Sequence, residues 1–213
     1  MIDALIPLKA HSERVPNKNF RELAGKPLYI YILETLSRSK FIENIYIDTD
    51  AKEKFELSDY PEVKIIDRPE ELRGDMVSVN ALIEYDLNIL KGDIILQTHA
   101  TNPMLKTETV DQCITKFLNE EPGSLFSVTP MYERFWRNGK PVNHDPNKLI
   151  RTQDLEPLYM DNSCIYIFTR EFFNKYKRRM NDKSKMFVID KKEAFDIDTK
   201  LDWRIVECLM KKS

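Results

Sequence analysis

Short apolar runs alternate with amphipathic segments along the first half of the chain, and this alternation constrains the fold more than any other feature. We predict strands near 2–8, 44–48, 62–66 and 93–97, separated and followed by helices near 27–39, 51–58, 78–90 and 107–119. A regular exchange of strand and helix is typical of α/β proteins whose strands form one sheet. The sequence therefore predicts an α/β fold with a mostly parallel sheet.

The pattern changes after Pro122-Gly123. We predict strands at 125–129 and 163–168, and the stretch 131–158 between them shows no clear helix. An irregular stretch of that length in a compact domain is usually functional or forms an interface. Within it, Asn138-Gly139 predicts a hairpin turn, since this pair suits two successive positive φ values.

The last third of the chain returns to regular elements. We predict a helix near 170–180, a strand at 186–189 and a final helix near 200–211. No repeat or linker divides the sequence. We therefore expect a single domain spanning 1–213, with an irregular insertion near 131–158.

Composition excludes several classes of protein. The 213 residues carry a formal net charge of −2, which gives no overall attraction to nucleic acid or to an anionic membrane. No apolar run approaches the roughly 20 residues that span a bilayer, and the amino-terminal residues lack the basic start of a signal peptide. The three cysteines are widely spaced, which argues against a disulfide framework or a zinc knuckle. We expect a cytoplasmic protein.

A cluster of cations follows the first predicted strand. Lys9, Arg14 and Lys18 accompany the hydroxyl of Ser12 ahead of a helix that begins near Pro27. Ligands of open α/β sheets dock at the carboxyl ends of the strands, where this segment lies. Because guanidinium and ammonium groups neutralise phosphates well, the segment predicts a polyphosphate-binding loop. The alternative is a basic loop that faces only solvent.

Near the carboxyl end, Asp196 and Asp198 stand two residues apart. In an extended chain this spacing places both carboxylates on one face, where they repel each other unless a cation joins them. Mg²⁺ is commonly held by one or two carboxylates and by substrate phosphates. Alternatively, Asp198 or Thr199 caps the last helix, with Asp202 completing a capping box.

A polyphosphate grip and a carboxylate pair in one protein suit nucleotidyl transfer, in which positive groups hold the departing pyrophosphate. The chain has no Walker-type loop, no Gly-x-Gly-x-x-Gly fingerprint and no nucleophile elbow. Its five glycines also disfavour a glycine-rich phosphate cradle.

Five segments, in order, resemble the CMP-sialic acid synthetases, or acylneuraminate cytidylyltransferases. The first is Ser12-x-Arg14-x-Pro16-x-Lys18-Asn19 with Gly25-Lys26-Pro27-Leu28. The others are Arg68-Pro69-Glu70-Glu71-Leu72 with Ser78, Gln97 to Leu105, Arg151-Thr152-Gln153-Asp154 continuing to Asn162 and Tyr166, and Phe195-Asp196-Ile197-Asp198-Thr199. The resemblance covers nearly the whole chain.

The resemblance implies a Rossmann-like nucleotidyltransferase fold with a dimerisation insertion, here the 131–158 stretch, and therefore a homodimer. It also implies a reaction: CTP and a nonulosonic (sialic-type) 2-keto sugar acid give the CMP-sugar and pyrophosphate, with Mg²⁺ as cofactor. The sugar's anomeric hydroxyl would attack the α-phosphorus in line.

Residue roles follow from the same resemblance. Lys18, Arg14 and Lys9 would neutralise phosphates, and Ser12 would donate a hydrogen bond to them. Asn19, Arg68 and Ser78 would hold the nucleoside, and Asp196 and Asp198 would carry Mg²⁺. Candidate sugar-acid contacts are Gln97, His99, Asn162 and Tyr166. His99 could serve as a base because imidazole titrates near neutral pH, or it could be a structural hydrogen-bonding group.

The chain departs from the family pattern at three places. Lys9 stands where the family has arginine, Ala10 and His11 stand where it has glycine ahead of Ser12, and Ser163 replaces another glycine. Lysine keeps the charge but loses the two-pronged grip of arginine. Two alternatives stay open: a CTP:3-deoxy-manno-octulosonate cytidylyltransferase, and a nucleotide-sugar-binding homologue without turnover.

Overall fold

A computed structural model describes residues 1–211, which fold around one seven-stranded sheet. The strands are β1 Ile2–Leu8, β2 Glu22–Leu23, β3 Lys26–Pro27, β4 Ile42–Thr49, β5 Val63–Asp67, β6 Ile94–Thr98, β7 Ser124–Met131, β8 Trp136–Arg137, β9 Lys140–Pro141, β10 Leu158–Thr169 and β11 Lys185–Val188. The α-helices are α1 Leu28–Ser37, α2 Val79–Asp86, α3 Thr107–Glu120, α4 Arg170–Tyr176 and α5 Lys200–Met210.

The main sheet has the order β11-β7-β10-β6-β1-β4-β5. Every neighbouring pair is parallel except those formed by β10, which runs antiparallel to β6 and to β7. The predicted α/β fold with a mostly parallel sheet is confirmed. Because parallel strands end at the same edge, the loops after β1, β5 and β6 meet there.

Helices cover both faces of the sheet. Ala4, Ile6 and Leu8 of β1 pack in the core with α1 and α3, whereas Leu5 packs with α2 and α4 on the other face. Successive side chains of a strand point to opposite faces, so a strand buried on both sides is apolar throughout. This explains the apolar run over residues 4–8. Asp3 is also buried, and its carboxylate accepts hydrogen bonds from Lys91 N and Gly92 N.

A third apolar cluster joins the two ends of the chain. Val15 from the loop after β1 and Leu28 from α1 pack with Ile197, Trp203 and Val206. All five side chains are buried. The cluster therefore anchors the cation-bearing loop against the segment that carries Asp196 and Asp198.

One predicted helix is wrong. The stretch 51–58 forms only a single 3-10 turn, Lys52–Lys54, after which Phe55 is extended. The Phe55 ring packs edge-on against Phe20 and Tyr29, with ring centroids 5.0 Å apart in each pair. Packing of this aromatic residue into the core overrides local helix propensity. The helices predicted at 78–90 and 170–180 are also shorter than expected and end at Asp86 and Tyr176.

The stretch between β7 and β10 is an excursion from the main sheet. Its predicted hairpin is confirmed: β8 pairs with β9, and Asn138 and Gly139 have φ values of 49° and 75°. Large apolar side chains are exposed on the excursion and its flanks, namely Tyr132, Trp136, Val142, Leu149, Ile150, Leu158, Tyr159 and Met160. Across residues 1–211, none of the helices combines the length and apolar character needed to cross a membrane.

Candidate functional site

A cleft of about 550 Å³ opens at the carboxyl ends of the parallel strands. The loop after β1 lines one side of it, the loop after β6 forms its floor, and Ser163 and Arg179 line the side next to β10. Asp196 and Asp198 lie between α5 and the floor. The cleft thus brings together residues that are far apart in sequence.

Asp198 contacts both principal cations of the loop after β1. Arg14 Nη2 lies 2.8 Å from Asp198 Oδ1, and Lys18 Nζ lies 3.5 Å from the same oxygen and 2.6 Å from Ile197 O. Lys18 opens a short 3-10 turn after Asn17, whose φ of 54° reverses the chain. The structure thus brings the cation loop and the acidic pair together in the cleft.

Asp196 is the more buried member of the acidic pair. Burial raises its pKa, a hydrogen bond from Thr101 lowers it, and the neighbouring Asp198 raises it further. Its Oδ1 atom is buried and has no hydrogen-bond partner among residues 1–211. A buried carboxylate oxygen without a donor suits a cation, so this pair fits the oxygen chemistry of Mg²⁺. In the described part of the chain, no cluster of three or more ligand-type side chains is placed to hold a metal.

The capping alternative for this segment also holds. Thr199 is the N-cap of α5, its hydroxyl accepts from Asp202 N, and the Asp202 carboxylate accepts from Thr199 N at 2.7 Å. Asp202 also accepts from Asp198 N. The capping box fixes the backbone beside Asp198 and leaves the Asp198 carboxylate in the cleft.

Lys9 has an internal partner at the mouth of the cleft. Its Nζ atom lies 2.7 Å from Asp75 Oδ1, and the two side chains are 41% and 57% exposed. The hydrogen bond from Lys9 lowers the pKa of Asp75. Asn19 lines the cleft and donates to Lys9 O at 2.9 Å, so it holds the loop in shape. Ser12 and His11 also line the cleft.

Arg68 lies outside the cleft lining. Its guanidinium contacts the Asp48 carboxylate at 2.9 Å, and both side chains are 1% exposed. Burial raises the pKa of Asp48 despite this arginine. Burial and the charge of Asp48 together raise the pKa of Asp86 to about 8. Ser78 is the N-cap of α2, where its hydroxyl accepts from Ala81 N.

Gln97 and His99 form a chain of hydrogen bonds with Arg179. Arg179 Nη1 donates to Gln97 Oε1, and Gln97 Nε2 lies 3.1 Å from His99 Nε2 and from Thr98 O. Gln97 is buried, while His99 lines the cleft. Burial and the charges of Arg179 and Lys18 lower the pKa of His99 to about 4. The imidazole is therefore neutral near pH 7 and is a weak base.

Two further predicted residues support the β10 side of the cleft. Asn162 is buried, accepts from Ser127 Oγ at 2.6 Å and donates to Thr129 Oγ1 at 3.0 Å. Tyr166 donates to the Asp161 carboxylate at 2.8 Å, and its ring lies 3.5 Å from the Arg179 guanidinium carbon. Burial raises the pKa of Tyr166 to about 12.

Ser163 interrupts the pairing of β10. Its φ of 58° is left-handed, and the register with β7 shifts between Asp161 and Tyr166. Left-handed φ is a conformation that glycine adopts freely. This gives a physical reason for glycine at this position in the resembling family.

The structure separates the predicted site residues into two groups. Those that line the cleft are Lys9, Ser12, Arg14, Lys18, Asn19, His99, Asp196 and Asp198. Those whose side chains have internal partners outside the lining are Arg68, Ser78, Gln97, Asn162 and Tyr166. Sequence reasoning missed Arg179, Asp75 and Asn102, which also line the cleft. The run Lys177-Arg178-Arg179 was the available signal for the first of these.

Comparison with known proteins agrees with this geometry. A sequence model described as "Cytidylyltransferase" matches residues 4–209, nearly the whole chain. The chain belongs to the cytidylyltransferase family. This membership is consistent with the resemblance drawn from the five segments.

Individual relatives of this cytidylyltransferase-family chain carry more specific names. It is 30% identical to CMP-N,N'-diacetyllegionaminic acid synthase of Legionella pneumophila and 26% identical to pseudaminic acid cytidylyltransferase of Campylobacter jejuni. Each alignment covers 97% of this chain and 95% of the relative. The solved structure of CMP:2-keto-3-deoxy-manno-octonic acid synthetase with CTP superimposes with a TM-score of 0.73 at 12% identity, covering 99% and 98% of the two chains. That likeness shows the shared fold.

Proposed function

We propose that the protein transfers CMP from CTP to the anomeric hydroxyl of a nonulosonic 2-keto sugar acid. The observation that carries this proposal is the meeting of Arg14, Lys18 and Asp198 in one cleft of a cytidylyltransferase-family chain. In the reaction, a bond forms between the anomeric oxygen and the α-phosphorus, and the hydroxyl proton passes to solvent. The bond from that phosphorus to the β-phosphate oxygen breaks, and pyrophosphate leaves.

The cations of the loop after β1 would stabilise the departing pyrophosphate. Arg14 and Lys18 share a single carboxylate oxygen in the free protein, so both keep donors for phosphate. Arginine can grip two phosphate oxygens, and lysine supplies a point charge. Ser12 would add a hydroxyl donor on the same side. Such donors accelerate the reaction because they meet charge that develops in the transition state.

Asp196 and Asp198 would hold Mg²⁺. The unpartnered Asp196 Oδ1 atom supports this assignment. The metal, when bound, would neutralise phosphate charge and would take its other ligands from phosphate oxygens and water. The third apolar cluster buries Ile197 and so keeps the two flanking aspartates at the cleft.

The nucleoside would lie between Asn19 and the segment from Arg68 to Ser78. Asp75 and Val79 of this region line the cleft. We propose that the Arg68–Asp48 pair holds the segment in place and that Ser78 fixes the start of α2 beside the nucleoside. The acceptor would lie on the β10 side, near His99 and Ser163.

A nonulosonic acceptor is favoured by the relatives. The two relatives described above, each aligned over 97% of this chain, are named for legionaminic and pseudaminic acids. The octulosonate enzyme shares the fold, but at 12% identity this likeness carries no information about the substrate of the present protein. We therefore propose a nine-carbon sugar acid as the acceptor, and the test includes eight-carbon acids as the alternative acceptor.

We also propose that the protein acts as a homodimer through the excursion between β7 and β10. Eight large apolar side chains are exposed there or on its flanks, and Leu149 is 96% exposed. Apolar patches of this kind mark interaction sites. Analytical ultracentrifugation should give a dimer, and charged substitution of Trp136 and Leu149 together should give a monomer. A monomer in the unsubstituted protein would contradict this proposal.

The test of the proposed reaction is pyrophosphate release with CTP, Mg²⁺ and a panel of nine-carbon and eight-carbon 2-keto sugar acids. We expect turnover with a nine-carbon acid and near-complete loss in Asp198→Asn. Asp59→Asn is the matched control, since the Asp59 side chain is exposed and lies outside the cleft lining. No release with any acid would overturn the proposal.

A second candidate is a nucleotide-sugar-binding protein without turnover. The Lys9–Asp75 ion pair favours this candidate. Lys9 replaces the family's arginine, and its charge is already paired with Asp75. Calorimetry separates the two candidates. CTP binding without pyrophosphate release from any acid would identify the binding protein.

A further inference from the structure

Arg179 presents a guanidinium in the cleft that no carboxylate of the described chain contacts directly. Within residues 1–211 it contacts the Tyr166 ring at 3.5 Å and donates to the Gln97 amide, but it forms no ion pair. Burial lowers its pKa, and the charges of Tyr166 and Asp161 act in the opposite direction. Desolvation of a guanidinium that no carboxylate contacts directly is costly, and an anionic ligand would relieve that cost.

The same hydrogen-bond chain determines which nitrogen of His99 carries the proton. Because Arg179 donates to Gln97 Oε1, the Gln97 amide nitrogen faces His99 and Thr98. One amide hydrogen goes to Thr98 O, so the other goes to His99 Nε2, which must accept. The neutral ring therefore carries its proton on Nδ1. That atom has no partner in the described chain, and His99 lines the cleft.

We propose that Arg179 and His99 Nδ1–H together form the site that recognises the carboxylate of the acceptor sugar acid, with Gln97 as the positioning residue between them. This inference rests on the proposed function. It assigns His99 as a hydrogen-bond donor to substrate and not as the base that accepts the hydroxyl proton.

The position of the site favours the acceptor over the nucleotide. Arg179 and Ser163 line the cleft next to β10, whereas Lys9 and Asp75 line the opposite side, at the ends of β1 and β5. His99 follows β6, which lies between these strands in the sheet. A triphosphate is also an oxyanion, however, so the experiment must distinguish the two sources of negative charge.

The experiment compares the preferred sugar acid with its carboxamide analogue, in which the acid group is uncharged. We expect kcat/KM in the unsubstituted protein to be roughly 10- to 100-fold higher for the acid, the range of a charged hydrogen bond. In Arg179→Gln this preference should disappear, while the calorimetric Kd for CTP stays within about two-fold. Arg178→Gln is the matched control, since the Arg178 side chain is exposed and donates to Tyr176 O.

Two His99 variants test the tautomer. Asn places its amide nitrogen near the position of Nδ1, whereas Gln places it near Nε2. His99→Asn should keep most of the preference for the acid, and His99→Gln should lose it. These variants, together with Arg179→Lys, keep the test informative if Arg179→Gln does not fold.

Each outcome has one meaning. Turnover that prefers the acid equally in Arg179→Gln and in the unsubstituted protein would overturn this inference and leave the proposed function intact. A weakened CTP Kd with an unchanged acid preference would assign Arg179 to the triphosphate and also overturn the inference. Absence of turnover in the unsubstituted protein would overturn the proposed function, and this inference with it.

Discussion

Opposite charges meet in two regions of this molecule under very different conditions. At the cleft, Arg14 and Asp198 are 63% and 42% exposed, and a second cation shares the same carboxylate. Away from the cleft lining, Arg68 and Asp48 are each 1% exposed. The groups are chemically alike, but one set is open to solvent and the other is enclosed.

This difference explains why the two regions have different roles. An exposed ion pair contributes little to stability because water and salt compete for both charges. Its loss to an incoming phosphate is therefore cheap. A buried pair is expensive to break, since removal of one charge leaves the other without a partner in a dry environment. We assign ligand binding to the first region and structural support to the second.

The strongest test of this contrast is Arg68→Gln. It leaves Asp48 buried without its cation, and we expect a loss of about 3–5 kcal/mol in the free energy of unfolding. Urea denaturation measures this loss. Leucine at both positions 48 and 68 should recover part of it, and a fully stable Arg68→Gln variant would show that the pair is dispensable.

Lys18→Ala tests the cleft, where we expect activity to be affected more than stability. Lys18 is 12% exposed, and its ammonium would contact the phosphates, so we expect kcat/KM for pyrophosphate release to fall about 100- to 1000-fold. Because Lys18 is mostly buried and donates to Ile197 O, the thermal unfolding midpoint should also fall, but by less than in Arg68→Gln. Lys40→Ala, an exposed lysine outside the cleft, serves as the control. A large drop in stability with retained activity would reverse our assignment.

Asp86→Asn tests whether the buried region makes the free energy of unfolding depend on pH. Burial raises the pKa of Asp86 to about 8, so the folded protein keeps a proton there that the unfolded chain releases near pH 4. The stabilisation from this proton is complete below about pH 4 and is lost as pH rises towards about 8. In Asp86→Asn, the fall in the free energy of unfolding between about pH 5 and 8 should be smaller by on the order of 2 kcal/mol. Parallel pH profiles for the two proteins would contradict this expectation.

The smallest effect concerns Asp75→Asn. The change releases Lys9 at the cleft mouth, where both side chains are largely in water. We expect no measurable change in unfolding and a modest gain in CTP affinity, below about ten-fold. Calorimetry with CTP measures that gain. A loss of affinity would mean that Asp75 itself contributes to the nucleotide site.

Sequence reasoning found the cations and carboxylates that line one part of the cleft, but it missed Arg179 next to β10. Lys18 and Asp198 belong to short motifs with chemical meaning, so their meeting could be expected without coordinates. Arg179 belongs to a basic run that looks like an ordinary solvated surface. Its role depends on Gln97 and Tyr166, which only the packing of β6 beside β10 brings to it.

Buried charge was also hard to foresee. Arg68 precedes Pro69 in a stretch that reads as an exposed turn, yet its side chain is enclosed with Asp48 from β4. The failed helix at 51–58 has a similar cause, because Phe55 packs on residues from other segments. Local patterns describe each segment, whereas these outcomes depend on which segments become neighbours.

The long strand β10 has a consequence for how proteins of this design can vary. Its first four residues pair with the outer end of β7, and after the irregularity near Ser163 the strand joins the centre of the sheet between β7 and β6. The register on the inner side is set by Tyr166 to Phe168, independently of the length of the chain between β7 and β10. Insertions or deletions in that excursion can therefore accumulate over evolutionary time without displacing the cleft.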